Sequence, residues 1–339
     1  MENNRSEAAC CHHRPRSWFK EPLFLVALVI LLSFLAHLFL LSQGINFLTS
    51  LWLKFGQYLR LTWWAILLGF FLGGLIDILV PEDFMVRLLG KRKRSIFVAV
   101  FLGFLASACS HGILAIAVSL FKKGASTAAT LAFLLAAPWA NLAITILLIA
   151  FFGAKAFLII GGALLIAILA GLIFQFLERK GLIESNLKEK LSSEKTDRWH
   201  WPGMANLTKG ITKSSWSLAK MILWWILLGF FLASILGSFI PETVFHRYFG
   251  PTFFGVLATL ALASVIEICS EGSAPMAFEL FQKTGAFGNV FVFLMAGVAT
   301  DFTEIGIVLT NIGKKAAIAL VVVTVPLVLL LGFLFNNLL

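Results

Sequence analysis

The sequence predicts an all-α polytopic membrane protein made of two homologous repeats that follow one N-terminal span. Three observations carry this reading. Hydrophobic residues fill 60% of the 339 positions and charged ones only 13%, with a mean hydropathy of +0.94, which leaves too little charge for the surface of a soluble domain. Several apolar runs reach the roughly 20 residues a helix needs to cross the hydrocarbon core. They show no long period-2 alternation, so the spans close their backbone hydrogen bonds internally as helices. Third, segments recur at a fixed offset of 160 residues.

The formal charge of +10 would point a soluble protein toward nucleic acid. Here Lys and Arg gather in short loops, as the positive-inside rule expects, so the expected partner is the bilayer, with no nucleic acid. The 34 Phe and 10 Trp suit lipid-facing and interfacial positions. The first apolar run lacks a small-residue cleavage site and reads as a full span. Cys10, Cys11, Cys109 and Cys269 do not form the disulfide framework of a secreted scaffold.

Residues 1–20 are polar and basic and read as a cytoplasmic tail. Cys10, Cys11, His12 and His13 are a weak metal candidate: thiolate and imidazole suit soft or borderline ions, but consecutive residues rarely close a tetrahedral site. Residues 21–61 hold the first span, 22–42, and an interfacial or helix-extending segment with Lys54 and Arg60. Repeat one covers 62–177, a hydrophilic linker 178–215, and repeat two 216–339.

The Ile-Leu-Leu-Gly-Phe-Phe-Leu run at 66–72 returns unchanged at 226–232. Pro81-Glu82 returns as Pro241-Glu242, Arg87 as Arg247, Gly90 as Gly250, and Leu120-Phe121 as Leu280-Phe281. An offset held over about 80 residues reads as an internal duplication, on which many transporters are built. Each unit has a span, a short amphipathic piece opened by Pro-Glu, a broken segment, a span carrying polar residues (127–150; 287–310) and a last span.

The breaks fall at Ala108-Cys109-Ser110-His111-Gly112 and Ile268-Cys269-Ser270-Glu271-Gly272. The apolar pieces on either side of the first are each too short to cross. They form either the arms of a re-entrant hairpin or one discontinuous helix. Lys91-Arg92-Lys93-Arg94 before the segment and Lys122-Lys123 after it favour the hairpin, with both flanks and the N-terminus in the cytoplasm. The second unit then runs with inverted topology.

Ionisable or soft groups inside membrane segments are costly and therefore candidates for function. Substrate-binding candidates are Cys109, Ser110, His111 and Asn141 in the first unit, and Cys269, Ser270, Glu271 and Asp301 in the second. Glu267 and Glu304 are candidates for carrying protons. Cys109, His111, Cys269 and Glu271 together would suit a thiophilic or borderline ion held transiently. Each has a plainer role open to it: a lone intramembrane Cys packs as a small hydrophobe, Ser returns a hydrogen bond to a carbonyl, and Asp301 and Glu304 could face water at a helix end. No phosphate-binding loop, GxSxG elbow or HExxH occurs, so neither an enzyme nor a bound cofactor is expected.

Residues 108–141 (ACSHGILAIAVSLFKKGASTAATLAFLLAAPWAN), 268–301 (ICSEGSAPMAFELFQKTGAFGNVFVFLMAGVATD) and the PEDFMVRLLG piece at 81–90 with its copy resemble the predicted-permease family that includes the organoarsenical efflux permeases and relatives linked to copper and zinc efflux. The resemblance covers nearly the whole chain after residue 50. It implies a multi-span permease of efflux type in a bacterial cytoplasmic membrane, with the Cys-bearing breaks as substrate site. Family members often carry Cys-Ser-Cys-Gly at the break, with a proline soon after. His111 and Glu271 stand where the second cysteine would be, and only Pro275 keeps the proline. Mixed Cys, His and carboxylate chemistry points to zinc or copper, or to a cargo that is not a metal. The expectation is a secondary efflux transporter of a metal or metalloid species (zinc, copper or an arsenical). The alternatives are a permease for a small organic or sulfur-containing solute and a non-transport scaffold subunit.

Overall fold

A computed structural model describes residues 22–79, 89, 94–103, 110–186, 204–266 and 270–338. Every element among them is helical. The chain opens with α1 (Pro22–Ser42), α2 (Thr49–Leu79) and α3 (Arg94–Leu102). Next come α4 (Ser110–Lys122), α5 (Thr127–Ala140), α6 (Leu142–Phe152), a 3-10 turn at Gly153–Lys155, and α7 (Ala156–Arg179). After the linker follow α8 (Met204–Phe239), α9 (Glu242–Phe249), α10 (Phe253–Ile266), α11 (Ser270–Thr284), α12 (Phe287–Ala299), α13 (Phe302–Asn311) and α14 (Lys314–Leu338). The starts of α4, α5 and α6 recur 160 residues later as the starts of α11, α12 and α13.

By length and composition, Leu23–Ser42, Leu142–Arg179, Phe287–Asn311 and Lys314–Leu338 are long and apolar enough to cross a membrane. A fifth candidate is the pair Leu223–Phe239 and Glu242–Phe249, bent by 106°. The bend falls at Pro241, which cannot continue a helix begun before it and instead opens the next one. The protein is an integral membrane protein.

Two helices form the centre. All of α5 is buried, and its Ala-rich sequence lets α3, α4 and α7 pack closely around it. α12, buried from Val290 to Ala296, is surrounded in the same way by α10, α11 and α14. The long helices α2 and α8 lie against each other, α2 also against α6, and α8 also against α11. α1 touches the rest mainly through α8 and exposes Leu25, Val29 and Leu32 as lipid contacts.

Buried polar groups pin the ends of the central helices. The Glu178 carboxylate accepts from Ala128 N in the first turn of α5 (3.2 Å), and the Asn336 side chain accepts from Gly288 N in the first turn of α12 (2.7 Å). Asn289 donates to Phe249 O (2.9 Å), Gly250 O (3.1 Å) and the Thr259 hydroxyl (3.1 Å), and accepts from Asn336 (2.7 Å). Beyond α7, Glu184 accepts from Lys315 N (3.0 Å) and Ala316 N (2.8 Å), which caps α14, while its carbonyl accepts from the Thr127 hydroxyl at the start of α5 (2.6 Å).

From Thr49 the segment before the second span takes the helix-extending of its two readings: Lys54 and Arg60 sit within the 31 residues of α2. The helices differ from the sequence expectations in two places. The end of the linker is helical from Met204, inside α8. The polar spans at 127–150 and 287–310 are interrupted, at Asn141 and at Thr300-Asp301, because a side-chain oxygen at each point caps a new helix in place of the old ladder.

Candidate functional site

The two interruptions build the centre of the site. Asn141 Oδ1 accepts from Ile144 N (2.9 Å) and so caps α6. The Asp301 carboxylate accepts from Thr303 N (2.7 Å) and caps α13. Both caps are buried, at 1% and 3% exposure. An α-helix start presents amide groups with no partner in the helix and a partial positive charge of roughly half a unit. Such an end inside an apolar bundle is a polar feature in otherwise apolar surroundings. Glu304, one turn into α13, is also buried, and neither carboxylate oxygen has a hydrogen-bond partner among the described residues. Burial at the helix start therefore replaces the water-facing position open to Asp301 and Glu304 on sequence grounds.

The described helix ends that flank the two breaks in sequence come close to the residues around these caps. In the second unit the Ser264 and Thr300 hydroxyls share a hydrogen bond of 2.6 Å, which ties the end of α10 to the residue before Asp301. In the first unit Gly103 passes so close to α5 that an added Cβ would lie 3.0 Å from Ala137 Cα and 3.2 Å from Ala140 Cβ, one residue from Asn141. α4 and α11 then start at Ser110 and Ser270, and their N-termini add two further positive helix ends. α4 packs against α13 and α11 against α6.

Glu271 shows the α11–α6 contact in atomic detail. It is 1% exposed, and its Oε2 accepts from the Ser270 hydroxyl (2.9 Å). The side chain lines a cavity of about 10 Å³ together with Gly69, Phe70, Ala143, Leu147 and Ile226. That is close to the lower limit for one water. The α8–α11 crossing beneath it is tight: a Cβ on Gly229 would lie 2.2 Å from Gly272 O. Only glycine permits that approach.

Of the residues singled out from sequence, Asn141, Ser270, Glu271, Asp301 and Glu304 are thus buried at the starts of α6, α11 and α13. Ser110 and His111 open α4, with only their backbone described. Cys109, Glu267, Cys269 and Cys10, Cys11, His12 and His13 lie outside the described residues. Among the described residues, no three His, Cys, Asp or Glu side chains group closely enough to hold a metal. Of the four transient ligands expected from sequence, that observation bears on Glu271 alone.

A second polar cluster escaped the sequence reading. Lys54 Nζ lies 2.6 Å from Glu279 Oε1, and the Tyr58 hydroxyl donates to Glu279 Oε2. Glu279 is 2% exposed and sits on α11 two turns beyond Glu271. Phe151 and Phe230 close around Tyr58, and Phe278 stacks against Phe151 at 5.0 Å. A lone carboxylate in an apolar helix was the available signal, but Glu279 has Ser119 at the matched position. It did not stand out where matched pairs were being sought.

Residues 48–337 match a family described as predicted permease. The chain belongs to this predicted-permease family. The match spans both capped helices and both breaks. Among its relatives is the UPF0718 protein YcgR of Bacillus subtilis, 25% identical over 273 residues, which cover 78% of this chain and 89% of the relative. A Streptococcus mutans protein is 24% identical over 250 residues, covering 71% of this chain and 79% of the relative; its name marks it as a predicted subunit of a two-component membrane permease complex. A Mycobacterium tuberculosis protein named as a predicted permease is 27% identical over 245 residues, covering 64% of this chain and 59% of that protein. No solved structure matches.

Proposed function

We propose that this permease is a secondary efflux transporter of a metal or metalloid species, such as zinc, copper or an arsenical, and that its cargo passes between the two helix breaks. The observation that supports the reading is a pair of buried helix starts, capped by Asn141 and Asp301, with α4 packed on α13 and α11 on α6; α4 and α11 begin at Ser110 and Ser270, next in sequence to Cys109 and Cys269. Asn141, Asp301, Ser110, Ser270, Glu271 and His111 supply polar contacts, and Cys109, Cys269, His111 and Glu271 supply soft and borderline ligands. A transported ion wants few ligands at a time, since a closed four-ligand site holds its ion tightly. Glu304 and Glu267 are buried or intramembrane carboxylates suited to take up protons as the cargo leaves.

In this reading residues 62–177 and 216–339 are inverted repeats joined by the 178–215 linker, with the N-terminus and linker in the cytoplasm. The matched helix starts support the duplication, and the basic flanks of the first break support the orientation. Two other readings remain in competition. A permease for a small organic or sulfur-containing solute needs the polar tips but not the thiols. The name of the Streptococcus mutans relative favours a subunit that works only with a partner.

One set of experiments separates the three. A sensitised bacterial strain expressing the chain is grown against copper, zinc, arsenite and methylarsenite, and the purified chain is tested for flux in lipid vesicles. The expected result is raised tolerance to at least one toxicant, lost in the Cys109→Ser/Cys269→Ser protein. Equal tolerance from that double variant would remove the thiol-based reading. Vesicle flux only after a second polypeptide is added would favour the subunit.

A further inference from the structure

The two sides of the bundle are unequal where the repeats would make them alike. α6 packs on α11, and α13 on α4, which are matched pairs at the 160-residue offset. The α2–α8 pair rests on the α6–α11 side only: α2 against α6, and α8 against α11. Among the described residues, neither α4 nor α13 packs on α2 or α8 to a comparable extent. Exposure follows the same division. Leu147 and Phe151 of α6 are buried, while Ile307 and Asn311 at the matched positions of α13 are partly exposed. Met276 and Glu279 of α11 are buried, while Ile116 and Ser119 of α4 are partly exposed.

Three contacts hold the pair where it is. Gly229 crosses Gly272, and Gly69, its match in α2, lies against Ala143, where a Cβ would come within 2.9 Å of Ala143 Cα. The third is the bridge of Lys54 and Tyr58 in α2 to Glu279 in α11. Room for it is left by Gly237 of α8, where a Cβ would lie 2.3 Å from Glu279 Oε1 and 2.6 Å from Lys54 Nζ. The first two contacts have possible matches on the other side, Gly69 with Gly112 and Gly229 with Thr303. The third has none: Lys54, Tyr58 and Glu279 correspond to Ser214, Leu218 and Ser119.

Resting on the inverted-repeat reading above, we infer that α2 and α8 move as one pair between the α6–α11 and α4–α13 sides, and that Lys54, Tyr58 and Glu279 are a latch present on one side only. Breaking the latch leaves a buried carboxylate without its cation, so the latched state is the favoured resting state. Release lifts the pair from α11 and opens the cavity at Glu271, which lies about 12 Å along the same helix at 1.5 Å per residue. The glycine contacts re-form with Gly112 and Thr303, which allows both states to pack closely. Lys54, Tyr58 and Glu279 are positioning residues, since they set the state and touch no cargo.

The test is distance measurement between spin labels on the full chain in lipid, carried on unnatural amino acids so that all four cysteines stay. One pair of labels sits at the exposed positions Leu53 and Gln282, beside the latch. The matched pair sits at Lys213 and Lys122, also exposed. The wild type is expected to show one short Leu53–Gln282 distance. Glu279→Gln should raise a longer-distance population by about tenfold. Tyr58→Phe, which strands no charge, should move it the same way by less. The exchanged pair Lys54→Glu/Glu279→Lys should restore the short distance, which a purely structural loss would not do. An unchanged Leu53–Gln282 distance in folded Glu279→Gln and Tyr58→Phe proteins would overturn the latch. As that distance lengthens, Lys213–Lys122 should shorten. If it does not, the inverted-repeat reading fails while the latch itself stands.

Discussion

Gly229→Ala gives a sharp test of the packing around Glu271. The new Cβ would lie 2.2 Å from Gly272 O, 2.8 Å from Gly272 Cα and 2.9 Å from Gly272 C, all backbone atoms of α11. An ordinary carbon–oxygen contact needs about 3.3 Å or more, so α8 and α11 must separate by roughly 1 Å. Overpacking of this kind costs about 1–3 kcal/mol. Gly161 in α7 provides the control, because nothing lies within 4 Å of its added Cβ. There alanine should be neutral or stabilise the helix by about 0.5–1 kcal/mol, since glycine carries the larger entropy cost. Retention of the folded monomer after heating in detergent, followed by size-exclusion chromatography, reads both variants. Gly229→Ala should shift the midpoint down and Gly161→Ala should not. Equal midpoints would show that the α8–α11 crossing is not close-packed, and the placement of Glu271 would lose its support.

Two further substitutions probe the pins that position the site. Asn289→Leu removes donors to Phe249 O, Gly250 O and Thr259 and leaves Asn336 without its acceptor; at about 1–3 kcal/mol per stranded group, a loss of at least about 2 kcal/mol is expected, and a thermal midpoint within error of wild type would refute it. Glu184 titrates below the ordinary carboxylate value: burial pushes it up, but the hydrogen bonds from Lys315 N and Ala316 N and the charge of Lys315 outweigh that. A carboxylate lowered in the folded state stabilises above its unfolded pKa, near 4.5, and loses that contribution as pH falls through the folded value. Glu184→Gln should therefore narrow the difference from wild type as pH drops from 6 toward 3 (roughly the range over which carboxylates titrate), and a constant difference in midpoint across that range would contradict the cap.

Membrane class and helical character were legible because hydropathy and span length constrain a chain in lipid strongly. The matched polar residues were legible for the same reason, since each costs energy in an apolar segment. What escaped was partly local capping and partly set by partners distant in sequence. Asn141 and Asp301 look like polar residues inside continuous spans until their side chains are seen capping new helices. Glu279 has no acidic match at the 160-residue offset, and its partner Lys54 lies 225 residues away. For Lys54 the sequence leaves an interfacial and a helix-extending position open, because the run from 45 to 61 is less apolar than the span after it, and α2 takes the second. Gly229 carries no chemical signal, and its role appears only where another backbone passes over it.

At several positions related by the 160-residue offset the chain differs in charge. Asn141 is matched by Asp301, His111 by Glu271, Ile144 by Glu304, and Ser119 by Glu279. In these four pairs the acidic member is in the second half, whereas Asp77 and Asp83, matched by Gly237 and Thr243, run the other way. Each half nevertheless supplies similar helix starts, whose partial positive charge the second half offsets and the first does not. In the proposed cycle a cation would be drawn to the carboxylates of the second half, and protons would replace it on release. The exchange Asn141→Asp/Asp301→Asn tests this without disturbing the scaffold. Asn and Asp are near-equal caps, so the change should cost within about 0.5 kcal/mol of stability. It moves one carboxylate from α13 to α6, away from Glu304. Efflux should fall by at least about tenfold, which corresponds to about 1.4 kcal/mol of lost interaction, while the thermal midpoint stays near wild type. Wild-type efflux from this variant would show that Asp301 serves only as a cap.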